Sequence, residues 1–173
     1  MDVKTRFAAL EASQEFSGWK KEHPKSFLAH VFRMIDGAQD NIWQFGFYNE
    51  NDTMTTFFLN ENAVTEEAEE EIFKANAIHE LEISSVKLDF DEAVGKVAQL
   101  QKKKYEQHTA LKTIVVLQVI ENKTLYNITF ITAHLNTLNV RVDAKTGSVV
   151  QEKLTALADM MQEAKPDKPD YVG

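Results

Sequence analysis

The chain has 173 residues and not one cysteine. Disulfides, thiolate zinc sites and a cysteine nucleophile are thereby excluded, while either redox compartment remains open. Proline occurs 3 times and glycine 6 times, so most of the backbone is free to enter regular structure. No apolar run comes near the ~18 residues that a membrane-spanning helix needs. Basic residues are the minority, 19 Lys and Arg against 27 Asp and Glu, giving a net charge of −8. Nucleic acids and anionic membrane surfaces both require clustered cations, so neither is an expected partner. The amino terminus, Met1-Asp2-Val3-Lys4, lacks an apolar signal core, which favours the cytoplasm.

Catalytic signatures are equally scarce. The histidines are His23, His30, His79, His108 and His134, and no two share the spacing of a helical zinc motif. There is no glycine-rich phosphate loop and no G-x-S-x-G turn. Asp89, Asp91 and Glu92 could serve as paired carboxylates, but helix capping accounts for them without a reaction. Asp143, before Ala144-Lys145-Thr146-Gly147, fits a turn in which its side chain accepts backbone N–H bonds and Gly147 takes positive φ. The expectation is a protein without catalytic, metal-binding or cofactor-binding residues, and not an enzyme.

What the chain does contain is periodicity. Apolar residues make up 43 % and charged residues 27 %, as in ordinary soluble globular domains. In the second half, Asp89 and Glu92 form a capping box, and Phe90, Ala93, Val97 and Leu100 make one helical stripe. Strand patterns follow at Ile114–Ile120, Tyr126–Phe130 and Leu138–Asp143. Leu154, Leu157, Ala158 and Met161 then suggest a closing helix. The first half repeats this order. Ala9, Ala12, Phe16 and Trp19 form a stripe that ends at His23-Pro24. Strands are predicted at Phe27–Ile35, before an Asp36-Gly37 turn, then around Trp43–Phe47 and Thr55–Leu59. Thr65 can cap a closing helix that opens on Glu66 and Glu67.

Trp43 and Tyr126, Phe47 and Phe130, Phe57 and Val140, and Leu59 and Val142 match at one common offset, so the chain reads as a duplication. The expected fold class is α+β: two tandem units, each a helix plus a three-stranded antiparallel sheet, each followed by a helix. The expected domains are a first αβββα unit over 1–80, a second over 81–164, and a disordered tail over 165–173.

Within residues 86–152 the second half resembles a PepSY domain. Asp91-Glu92-Ala93, Tyr126-Asn127-Ile128-Thr129-Phe130 and the stretch Val140 to Val150, with its Val142-Asp143-Ala144-Lys145-Thr146-Gly147 turn, carry that likeness. The resemblance implies a small cystatin-like sheet with a helix on one face. It also implies a protein that binds or restrains peptidases rather than catalysing, in a family often found outside the cytoplasm. The first half is a divergent version, with Asn60 to Val64 in place of the turn motif.

One pattern departs from a simple half-buried sheet. Opposite Trp43, Phe45 and Phe47, where polar residues belong, stand Ile42, Tyr48, Met54 and Phe58. Leu28, Phe32 and Met34 likewise make the first strand apolar on both faces. A sheet with two apolar faces must cover the second. The other unit, a second copy in a homodimer, or a protein or peptide partner could do so, the last by docking on this face or by adding a strand at a sheet edge. The expected function is therefore non-enzymatic binding of a protein or peptide partner, including restraint of a peptidase. The alternative is a carrier of a small apolar ligand held between sheet and helix on the Trp43, Phe45 and Phe47 side.

Overall fold

The helices start where short polar side chains can satisfy backbone N–H groups that have no partner within the helix. In the computed structural model, which describes residues 2–36, 42–61, 63–72, 77–156 and 158–159, Asp2 accepts from the Lys4 N–H (3.0 Å) and opens α1, Val3–Glu11. Ser13 accepts from the Phe16 N–H (3.2 Å) and opens α2, Gln14–Glu22. Asp89 and Glu92 form the expected capping box at the start of α3, Phe90–Lys104. Ser13 thus divides what the sequence suggests is one helix. Its cap breaks the stripe: Phe16 and Trp19 are buried, whereas Ala9 and Ala12 are exposed.

Eight strands complete the fold: β1 Phe27–Ile35, β2 Trp43–Tyr48, β3 Thr53–Leu59, β4 Val64–Glu71, β5 Ala110–Ile120, β6 Lys123–Thr132, β7 Asn136–Asp143 and β8 Val149–Ala156. They form one sheet in the order β4-β3-β2-β1-β5-β6-β7-β8. Every neighbouring pair is antiparallel. At the centre β1 lies against β5, from His30 opposite Gln118 to Ile35 opposite Thr113.

This corrects the expected fold class. The protein is α+β, but it is not built from two helix-plus-three-stranded units that each end in a helix. The first segment read as a closing helix is a strand, and so is the opening part of the second, although residues 158–159 are helical. The one beginning near Thr65 is β4, and the one containing Leu154 is β8. The preceding turns decide the outcome. Asn60 donates its N–H to Ala63 O (3.1 Å) and accepts the Ala63 N–H on its side chain (2.8 Å), which returns the chain with Val64 opposite Leu59. At the other end the Asp143 carboxylate accepts from the Lys145 and Thr146 N–H groups (2.8 and 2.9 Å), and Gly147 has φ of 74°. Partial burial pushes the Asp143 carboxyl up, but these N–H bonds, the Thr146 hydroxyl and the Lys123 charge outweigh it and hold the group below its ordinary value. A hairpin return gives each following residue a ladder partner, and that overrides a weak helical preference. Residue 157, Met161, Gly37 of the expected Asp36-Gly37 turn and the tail over 165–173 lie outside the described residues.

The helices share one face of the sheet, and the core lies between. Trp43, Phe45, Phe57, Tyr126, Ile128, Leu138 and Val140 are each 0 % exposed and belong to a single hydrophobic cluster. That cluster crosses the expected boundary at residue 80. Phe90 of α3 packs its ring 4.9 Å from that of Trp43, and the buried Arg33 guanidinium lies over both rings. Tyr126 donates its hydroxyl to Leu88 O (2.9 Å), tying the entry of α3 to the sheet. Burial pushes that hydroxyl's pKa far up, so it remains a donor.

Candidate binding face

With period-two alternation, every second strand residue points away from the helices. Phe32 and Met34 on β1, and Ile114 and Val116 on β5, therefore occupy the middle of the other face, and all four are half-buried. α1, α2 and α3 all pack on the opposite side, through Phe7 on Phe45, Phe16 on Phe47 and Phe90 on Trp43. The register makes one continuous row across it: Phe58, Gln44, Phe32, Val116, Asn127 and Arg141 are successive cross-strand neighbours from β3 to β7.

The residues singled out in the sequence fall on or beside this face, but not in one patch. Tyr48 and Met54 pair across β2 and β3, and the Phe27 ring stands 5.3 Å from that of Tyr48. Phe58 joins the central row. Ile42, just ahead of β2, is half-buried. Leu28 belongs to the helix side instead, because a bulge between Leu28 and His30 shifts the register of β1. Ile114 and Val116 were not recognised from sequence as part of this face. Their signal was available: the nearly unbroken apolar run of β5 is what a strand covered on both sides requires.

His30 occupies a gap that a glycine provides. A Cβ at Gly46, its neighbour on β2, would stand 2.2 Å from the imidazole Cε1. The ring therefore lies across β2 on space that only glycine leaves free. Burial pushes the His30 pKa below its ordinary 6.5, so the ring is neutral near pH 7. Gly46→Ala is expected to destabilise the fold by about 1–3 kcal/mol through overpacking. In the His30→Ala background the same substitution should cost far less, which a double-mutant cycle by urea unfolding will read. The pH dependence follows from the direction of the shift. A lowered folded pKa means the unfolded chain binds the proton first, so the His30 contribution is complete above pH 6.5 and is lost as pH falls below it. A His30→Gln variant should lack that component of acid sensitivity.

Beside His30 a groove of about 680 Å³ crosses this face. Its walls include Met54, His30, Gln118 and Arg141, with Ile78 and His79 from the segment that leads away from β4. The Arg141 Nε is buried without a hydrogen-bond partner. Among the described residues the guanidinium has no hydrogen bond or ion pair at all. Nearby Asn139, by contrast, is satisfied: its side-chain amide donates to Asn127 Oδ1 (2.9 Å) and Thr129 Oγ1 (2.8 Å).

A second cleft, of about 590 Å³, lies on the helix side between α1, α2 and residues 80–84. Phe7, Phe16, Leu28, Phe47 and Leu81 line it, with Lys4 at its rim. It is on the side expected for a ligand, with Phe47 in its wall, but Trp43 and Phe45 are 0 % exposed in the core and do not line it. The histidines do not assemble a metal centre: His108 and His134 approach with ring centroids 6.2 Å apart, but among the described residues no cluster of three His, Asp or Glu could hold an ion. No helix among those residues is long and apolar enough to cross a membrane.

These features define an α+β protein whose single antiparallel sheet is covered by helices on one side and offers a part-apolar, grooved surface on the other. No protein-family model matches the chain, and no curated protein does. Among solved structures it is similar to the crystal structure of a "putative lipoprotein" from Clostridium difficile 630, with a TM-score of 0.55 and 13% sequence identity over 81% of this chain and 90% of that one. At that identity the likeness concerns the fold.

Proposed function

We propose that the protein is a non-enzymatic binding protein that engages a protein or peptide partner through the helix-free face. The observation that carries this reading is the half-buried apolar centre of that face, Phe32, Met34, Ile114 and Val116, with α1, α2 and α3 all packed on the opposite side. A contiguous apolar surface of this kind is costly in water unless something covers it. The PepSY resemblance of residues 86–152 adds a class of partner, a peptidase that the protein restrains. Strand addition at an edge is the lesser route. β4 carries Glu66, Glu67, Glu69, Glu70 and Glu71, a charge-guarded edge, whereas among the described residues the β8 edge has exposed Val149 and Val150.

Phe32→Gln tests the face without entering the helix-side core. Light scattering should show a monomer for the parent protein, and a partner co-purified from native extract should be lost by the variant at nearly unchanged Tm. A parent dimer that the variant splits would instead make this face a self-interface, and equal capture by both proteins would remove the reading.

The cleft under α1 keeps a second reading in view, a carrier of a small apolar ligand. Saturable enhancement of an apolar fluorophore by the purified protein, lost on Phe7→Asp, would favour it.

A further inference from the structure

We propose that the groove on the helix-free face recognises a carboxylate on an extended acidic segment of the partner, with Arg141 as the residue that binds it. This rests on the face being the binding surface and adds the chemistry of what it selects.

The argument begins with unused hydrogen-bonding capacity. A guanidinium offers five N–H donors in a planar fork that matches a carboxylate. On Arg141 these donors meet no acceptor among the described residues, and the Nε is shut away from water as well. The side chains of Gln118 and His30, on the same groove, also make no hydrogen bond or ion pair with described residues. Three convergent polar groups beside an apolar strip are the arrangement of a recognition site, where apolar contact supplies affinity and a few polar groups fix orientation. Register puts them in reach of one extended segment: Arg141 continues the row of Phe32, Val116 and Asn127, while His30 and Gln118 form the adjacent cross-strand pair.

Arg141 places a cation in the groove despite the overall balance of −8. The densest acidic stretch, β4, is six strand positions from β7 in the sheet order, and among the described residues it meets the groove only through Glu70, the ladder partner of Met54. Lys153, exposed and opposite Asn139, adds a second cation on the same side as Arg141. Glu121 also lines the groove, but it is exposed at the turn after β5. An extended peptide suits the site better than a small anion, because register sets Arg141 in line with Phe32 and Val116 and a carboxylate alone would leave that row uncovered.

The test uses the full chain as bait for a randomised eight-residue peptide library, with Arg141→Gln, Arg141→Lys and Lys145→Gln in parallel. Recovered peptides should be enriched in Asp or Glu, and one synthetic representative should bind at least tenfold more tightly than its amide isostere. Arg141→Gln should abolish that preference, Arg141→Lys should keep part of it, and Lys145→Gln should leave it intact. Sodium glutarate should compete only at far higher concentration than the peptide. Recovery without acidic enrichment, no recovery above background, or a preference that survives Arg141→Gln would overturn the proposal. Peptides that bind without acidic preference and are lost on Phe32→Gln would overturn the carboxylate alone and leave the face as the binding surface.

Discussion

Trp43→Ala is expected to lower the free energy of unfolding by about 3–5 kcal/mol, the range for truncating a large buried aromatic. Trp43 is 0 % exposed and touches structure from both halves: the Phe45 ring at 6.4 Å, the Phe90 ring at 4.9 Å, and the Arg33 guanidinium at 4.9 Å. Removing it leaves a void between β2 and α3 that neither element can close without moving the other. One term opposes the loss. The indole Nε1 is buried without a partner, so its removal relieves a desolvation cost of about 1–3 kcal/mol. The lower half of the range is therefore the sharper expectation. Domains have about 5–15 kcal/mol in total, so the variant should be marginal at 37 °C. Urea unfolding followed by far-UV circular dichroism measures the change, and a loss below about 1 kcal/mol would contradict the packing described.

Val142→Asp should have an effect at least as large, and it tests whether the halves are one cooperative unit. Val142 on β7 is 0 % exposed, paired with Tyr126 and within the common hydrophobic cluster. A carboxylate there would be buried without a partner, at a cost of several kcal/mol. Both tryptophans, Trp19 and Trp43, lie in the first half, so intrinsic fluorescence reports the half that the substitution does not touch. With β1 on β5 and Phe90 on Trp43, the fluorescence midpoint should fall together with the circular-dichroism midpoint. An unchanged fluorescence midpoint would mean that the first half folds independently of the second.

Strands with strong alternation were legible in the sequence. Phe27–Ile35 has the bounds predicted for it, and the alternating pairs of β2, β3, β6 and β7 put Trp43, Phe57, Tyr126 and Val140 inward as expected. The outer strands were not legible, for a physical reason. β4 holds Glu66, Glu67, Glu69, Glu70 and Glu71, and β8 holds Gln151, Glu152 and Lys153, residues that intrinsic preference assigns to helices. Their conformation is set by hairpin returns at Asn60–Ala63 and Asp143–Ser148, and by a neighbour with a free row of hydrogen-bonding groups. The site was half legible. Composition exposed the second apolar face through Tyr48, Met54 and Phe58. The groove was not visible, because His30, Gln118 and Arg141 come from three strands and meet only through register.

The strand order also bears on how the chain reaches this state. Each pairing in the sheet but one joins strands consecutive in sequence, and such hairpins close short loops in microseconds. The exception is β1 against β5, which must close a loop holding three strands and a helix before any ladder bond forms. Loop-closure entropy places that seam among the slowest steps. Until it forms, each half has an unprotected central strand, Phe27–Ile35 or Ala110–Ile120, rich in β-branched and aromatic residues. The interval before docking is when this protein is most exposed to aggregation, and the seam that holds the mature sheet together is also what ends it.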